Sequence, residues 1–413
     1  MENQLIPHLF RTEYRKITSV LCKQFGIEHI EIAEDIASDV FLLAVEVWTY
    51  KGVPENPTAW LYAVARNKAK NQLIRNTVFS EKVTKELLHQ TDRSVSRFEI
   101  DLSDKNISDS QLLMLFTLCH PSIPVESQIS LSLRVLCGFG IEEIADAFLT
   151  NKASINKRLF RAKERLRTEN IPIIFPDEKE IDKRLETVLT TLYLLFNEGY
   201  YSESRNEILR NDFCLEAIRL TYLLHENDKT NKPPVNALLA LMCFHASRFG
   251  ARKNNQGELI LYDDQDETLW NQELIARGTY LLNLAAQGEI ISKYHIEASI
   301  AYWHTIKADS KEKWENILQL YNQLLILDYS PIAALNRTYA LSKVKGKLAA
   351  IAGAEKLNLK NNHFYFTLLG ALYEDIDHEK AKMNLQRALS LAKSETDKEI
   401  IRQKILKSDH VLK

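Results

Sequence analysis

Between Lys152 and Arg167 the chain holds seven lysines and arginines and one acid, Glu164, in a protein whose net formal charge is only −2. A local charge of about +6 on one segment suits a polyanion, and nucleic-acid phosphates are the commonest one. Ile155, Leu159, Ala162 and Leu166 recur at helical spacing, so they predict one buried stripe. The opposite face then presents Ala153, Asn156, Lys157, Phe160 and Arg161, with Lys152 leading and Arg158 and Arg165 flanking. Amide and guanidinium groups can read base edges in a major groove, while further cations hold phosphates. A solvated basic helix would show the same charge count. The preceding residues favour the DNA reading. Ile141, Ile144, Ala145 and Phe148 give a short helix an apolar face, and Asn151 is a good N-cap for the next. Two short helices across a tight turn make a helix-turn-helix. Its candidate DNA-binding residues are Lys152, Asn156, Lys157, Arg158, Arg161 and Arg165.

A second cluster lies upstream. From Trp60 to Asn76 there are four cations, Arg66, Lys68, Lys70 and Arg75, and no acid. Leu61, Ala65, Ala69 and Leu73 form an apolar stripe, which leaves Trp60, Asn67, Lys70, Asn71 and Arg75 on the other side. A ring beside amides and cations suits unstacked or single-stranded DNA. Helical geometry alone allows Trp60 to be a core residue equally well. A third group, Glu34, Asp35 and Asp39, sits among Ile32, Ile36, Val40, Ala44 and Val47 and keeps part of a helix surface acidic.

Signs of bond-making chemistry are weak. Cys119 and His120 are adjacent, so on a helix they would point about 100° apart, which is no metal site. Asp263, Asp264 and Asp266 do not follow calcium-loop spacing, and Asp264 with Glu267 reads as a capping box. His245, His295 and His304 lie in apolar helices and read as core residues. The five cysteines are scattered without a CxxC pair, as expected of reduced thiols. No nucleophile elbow, phosphate loop or HExxH occurs. No catalytic residue, metal or cofactor is expected.

The elements that position these residues are helices. Gly and Pro are few, whereas Leu, Ile, Ala, Glu and Lys are abundant. At roughly 100–200 residues per domain, 413 residues suggest several domains. The pattern predicts helices over 5–25, 30–49 and 58–76, with Thr58 as a cap, then a polar linker over 77–107. Helices resume at 109–118, 125–136, 141–148 and 152–167. Ile171-Pro-Ile-Ile-Phe-Pro176 cannot continue a helix and marks the expected boundary. Beyond Glu178 almost everything reads as helix. Phe366-Thr-Leu-Leu-Gly-Ala-Leu-Tyr373, followed by Ala381, Leu385 and Ala388, approximates a tetratricopeptide unit. Trp314–Leu327 and Leu335–Leu341 suggest a more degenerate one. No apolar run approaches the ~20 residues of a membrane span, and no signal segment is apparent, so a cytoplasmic protein is expected.

Taken in order, these segments resemble the extracytoplasmic-function RNA polymerase sigma factors. AEDIASDVFLLAVEVW (Ala33–Trp48) is similar to the region 2 helix that docks on the polymerase clamp. NPTAWLYAVARNKAKNQLIRN (Asn56–Asn76) is similar to the segment that recognises and opens the −10 element. GIEEIADAF (Gly140–Phe148) with INKRLFRAKERL (Ile155–Leu166) resembles region 4, which reads the −35 element. LFTLCHPSI (Leu115–Ile123), YLLFNEGYYSES (Tyr193–Ser204) and LILYDDQD (Leu259–Asp266) resemble the subgroup with a tetratricopeptide-type extension. Asn156 and Lys157 depart from the Lys-Ser pair of many members, which bears on the −35 sequence preferred.

The resemblance implies an all-α chain. Its parts would be region 2 over 1–76, a linker over 77–107, region 4 over 108–169, and a repeat extension over 170–413. Glu34, Asp35 and Asp39 would meet core RNA polymerase. Trp60, Asn67, Lys70, Asn71 and Arg75 would meet the −10 promoter DNA, and the region 4 residues the −35 DNA. The extension would make an intramolecular contact with the sigma core and regulate it. A competing reading is a one-component activator, with a helix-turn-helix and a sensing repeat domain, but that has no use for the Ala33–Trp48 and Trp60 segments.

Overall fold

The computed structural model describes residues 2–84, 100–148, 150–201, 207–252, 260, 262–393 and 395–410. Among them all regular structure is helical. Contacts divide the chain into two units, 1–230 and 231–413. The expected start of the extension, residue 170, therefore falls inside the first unit. Of the linker expected over 77–107, residues 85–99 lie outside the described residues, as does Ser202–Ser204 of the extension motif, while 77–84 and 104–107 are helical.

The first unit begins with α1 (Glu2–Phe25), α2 (Ile30–Lys51) and α3 (Pro57–Thr84). Tyr14, Ile17 and Leu21 of α1 are fully buried, as are Ala33, Ala37 and Val40 of α2 and Leu61, Ala65 and Ala69 of α3. Leu61, Ala65 and Ala69 belong to the predicted α3 stripe, whose Leu73 is half-buried; of the α2 positions predicted, Ile36, Val40 and Ala44 are buried, while Ile32 and Val47 are only half-buried and Ala33 and Ala37 are buried instead. Asn56, rather than Thr58, caps α3 by accepting from the Ala59 N–H at 3.0 Å. Pro57 then occupies the first helical position, where a missing N–H costs nothing.

Next come α4 (Asp104–Leu118), α5 (Val125–Leu131) and a π-helical turn (Ser132–Leu136), so the helix expected over 125–136 changes its winding halfway. α6 (Ile141–Ala147) and α7 (Lys152–Thr168) form the predicted helix-turn-helix, and the Asn151 side chain accepts from Ser154 N–H at 2.8 Å, as its position implied. Two long helices, α8 (Glu178–Tyr201) and α9 (Glu207–Glu226), complete this unit.

The second unit is built from α10 (Pro233–Ala246), α11 (Gln272–Ala285), α12 (Lys293–Trp303), α13 (Lys311–Leu327), α14 (Pro331–Lys345), α15 (Lys347–Leu357), α16 (His363–Tyr373), α17 (His378–Leu391) and α18 (Glu395–His410). The cap expected from Asp264 is made elsewhere. Asp266 accepts from Thr268 N–H at 2.9 Å, and Asn271 accepts from Leu274 N–H at 3.0 Å to start α11. His295 closes a capping box with Ser292, while burial holds the His304 imidazole down at about 3 and His245 well below its usual range. These histidines are neutral structural groups.

α16 and α17 are the pair in which the tetratricopeptide-like spacing is clearest. Gly370 of α16 faces Leu385 of α17 so closely that a Cβ would lie 2.7 Å from Leu385 Cγ. Gly370→Ala should overpack this contact and destabilise the second unit by about 1–3 kcal/mol. Denaturant unfolding of the full chain would measure it; an unchanged midpoint would show that the two helices separate at little cost.

Candidate nucleic-acid interface

On α7, Ile155, Leu159, Ala162 and Leu166 are buried, and they hold the helix on its neighbours. That burial turns Lys152, Asn156, Lys157, Arg161 and Arg165 outward. Lys152 is paired with Glu142, and Arg165 with Glu169 at 2.6 Å. Both are exposed pairs, worth little in water and easily exchanged for phosphate. Arg158 behaves differently. It is half-buried, with its guanidinium 5.2 Å from the Phe148 ring centroid and 3.3 Å from Ser130 Oγ, so it braces the helix-turn-helix. Phe160, not among the candidate residues, is 67 % exposed beside Arg161. An exposed ring on a basic helix is the signal that singles it out.

Asn67, Lys70 and Asn71 are exposed on α3. The Arg75 side chain lies outside the described residues. Trp60 is half-buried, with its ring edge-on to Trp48 at 5.3 Å between centroids. The core role left open by helical geometry is thus the one the free chain uses. Arg66 donates to Ile100 O at 3.1 Å, and Lys68 pairs with Asp39 at 3.0 Å.

The three acids of α2 do not share a face. Asp35 and Asp39 are exposed, whereas Glu34 is only 8 % exposed. Its carboxylate takes Lys163 of α7 on one oxygen and lies 3.5 Å from Arg134 Nε on the other. Burial, then the charge of Glu34, pushes the neighbouring Tyr14 phenol up to about 12. Arg167 extends the same seam, pairing with Glu31 at 2.7 Å and donating to Glu28 O at 3.3 Å. The outer face of α2 instead combines Asp35, Asp39 and Glu46 with Leu42, 62 % exposed, and Val45. The two aliphatic residues were missed because the same helical period places others in the core.

α8 and α9 brace this assembly within the first unit. Arg184 donates to Phe116 O, and Thr191 donates to Gln128 Oε1 at 2.9 Å. Phe213 meets Phe139 edge-on at 4.4 Å between ring centroids. Glu216 takes Arg15 of α1 and, at 2.8 Å, Arg219. Arg219 also reaches Gln111 Oε1 at 3.0 Å and Leu136 O at 3.1 Å.

All five cysteines are buried as free thiols. Among the described residues, no cluster of three or more His, Cys, Asp or Glu could hold a metal, and no helix is long and apolar enough to cross a membrane.

Comparison with known proteins agrees with the helix-turn-helix. Residues 113–166 match sigma-70, region 4, and residues 184–286 match a family of unknown function, DUF6596. Over 388 residues the chain is 33 % identical to an uncharacterized protein of Rhizobium meliloti (strain 1021), covering 93 % of this chain and 90 % of that one. No solved structure matches.

Proposed function

We propose that this chain, which belongs to the same family as the Rhizobium meliloti protein and carries a sigma-70 region 4 domain, is an RNA polymerase sigma factor of the extracytoplasmic-function type. One observation carries the reading: the region 4 match coincides with a helix whose buried stripe turns Asn156, Lys157 and Arg161 to solvent. In this reading Lys152, Asn156, Lys157, Arg161 and Arg165 contact the −35 element, with Arg158 positioning their helix. Asn67, Lys70, Asn71 and Arg75 track the −10 strand. Trp60 would have to leave Trp48 before it could stack on a base. Asp35 and Asp39 dock on core polymerase, and Glu34 serves inside the fold. The residues beyond Thr230 form a tetratricopeptide-like part that senses a signal and sets promoter output. The protein acts without covalent chemistry, in the cytoplasm.

Transcription in vitro with core RNA polymerase, the full chain and a library of promoter fragments tests this directly. Promoter-specific transcripts are expected; none from any fragment, with the chain folded, would remove the sigma reading. In the same assay Arg161→Ala should weaken −35 DNA binding by about 1–3 kcal/mol if it contacts a base, relaxing specificity at one position. A phosphate contact would instead lower affinity for every sequence and flatten the salt slope. No change in affinity or slope would show that α7 is not the reading helix.

A further inference from the structure

We infer that the second unit pairs with a second copy of itself through an apolar end formed by its α11–α12 and α13–α14 turns. Turns are ordinarily made of Gly, Pro, Asn, Asp and Ser. The turn from α15 to α16, Asn358-Leu-Lys-Asn-Asn362, largely follows that rule. The other two depart from it. Ile290 and Ile291, just before α12, are 77 % and 62 % exposed. Ile326, Leu327, Tyr329 and Ile332, where α13 gives way to α14, are between 45 % and 85 % exposed. Lys293 of α12 pairs with Asp328 at 2.8 Å and ties the two turns together at one end of the unit. Ile296, Leu324 and Ala333 share a buried cluster just inside it, so the ends of α12, α13 and α14 pack side by side. The exposure is not a loose core. Leu324 ends the buried stripe of α13, and Ile326, two residues on, points about 200° away around the helix. No rearrangement of the unit's own core covers it.

Area and charge identify what does. Six side chains, on average about two-thirds exposed, present on the order of 500 Å² of apolar surface. Patches of that size mark interaction sites on soluble chains. With a polar rim, this one approaches the roughly 800 Å² per partner of a standard protein interface. Its charged neighbours are Glu289, Lys293 and Asp328, one base against two acids. A patch of one strong sign would repel its own copy and select an opposite partner. Here an acid and a base stand side by side, so in a two-fold pair Lys293 of each copy can reach Asp328 of the other. Tyr329 suits the centre of such an interface, where aromatic residues are enriched and lysines and acids depleted. The pairing needs neither DNA nor polymerase and stands apart from the sigma reading.

Sedimentation velocity of the full chain, over about a hundredfold range of concentration around the micromolar, should show the mean mass rising toward that of two chains. Ile326→Asp, at the most exposed side chain of the patch, should weaken association by about tenfold or more, because a carboxylate would enter an apolar interface. Lys293→Asp leaves the patch acidic and Asp328→Lys leaves it basic, so each alone should be monomeric. Mixed in equal amounts, the two should pair again, since opposite patches attract. Circular dichroism will show whether the charge variants fold. If they do not, Ile326→Asp with Tyr329→Ala carries the test, as both side chains lie largely in water. A parent chain that stays monomeric throughout would overturn the pairing. So would a folded Ile326→Asp chain that associates as tightly as the parent, or folded charge variants that do not pair when mixed. A monomeric parent whose binding to core polymerase falls in Ile326→Asp would give the patch to polymerase instead. A chain that pairs as expected but never transcribes would overturn the sigma reading alone.

Discussion

A chain ended at Pro176 will lose its cooperative unfolding transition, whereas one ended at Thr230 will keep it. The shorter form removes α8 and α9, whose Leu192, Leu195, Phe196, Phe213, Leu220 and Leu224 are buried in the first unit. Phe139 would lose Phe213, and Phe116 O would lose the Arg184 guanidinium. Gln128 would keep its bonds to His120 O and Ile123 O but lose Thr191 at its carbonyl oxygen. Each large apolar side chain returned to water costs about 1.5–3 kcal/mol, and each buried polar atom left without a partner about 1–3 kcal/mol. A few such losses equal the whole stability of an ordinary domain, about 5–15 kcal/mol. Thermal denaturation followed by near-ultraviolet circular dichroism distinguishes the two forms. A sharp transition in the 1–176 form would show that α8 and α9 are dispensable to the first unit. Truncations intended to ask what the extension does to promoter output should therefore end at Thr230.

The second large effect is expected at the outer face of α2. Asp35→Lys should weaken binding to core RNA polymerase at least tenfold, or about 1.4 kcal/mol, because reversal turns attraction across an interface into repulsion. Asp39→Lys should add to it, but that residue also pairs with Lys68 at 3.0 Å, so its substitution sets two cations side by side within the chain. Asp35→Lys is the cleaner probe, and Leu42→Ala tests the apolar half of the same face. Titration of labelled protein with core polymerase at two salt concentrations reads both, since the charge effect should shrink as salt rises while the Leu42 effect should not. Unchanged affinity in folded Asp35→Lys protein would remove α2 from the docking surface.

Much of the fold was legible along the chain, because helical spacing of apolar residues is a local property. Ile155, Leu159, Ala162 and Leu166 predicted their own burial, and Asn151 predicted its own cap. So did the all-helical class, and the exposure of Asn156, Lys157 and Arg161 follows from the same period. The positions of Glu34 and Arg158 were not legible. Each lies at the edge of a helix face, where periodicity permits either solvent or a neighbour, and a neighbour distant in sequence decides. Lys163 is 129 residues from Glu34, and Ser130 is 28 from Arg158. The extent of the first compact unit was not legible for a related reason. Ile171–Pro176 does end a helix, since proline cannot continue one, but a broken helix does not by itself say how far a compact unit runs. Whether α8 belongs with what precedes or follows depends on which surfaces cover its apolar stripe. Thus the sequence by itself determined most of the helices, the Asn151 cap and the charge of the exposed face of α7. Only the tertiary structure decided which acids of α2 remain exposed, that Arg158 of α7 packs on Phe148 and Ser130, and that the first unit runs to Thr230. Those outcomes depend on pairings between helices, which local periodicity does not encode.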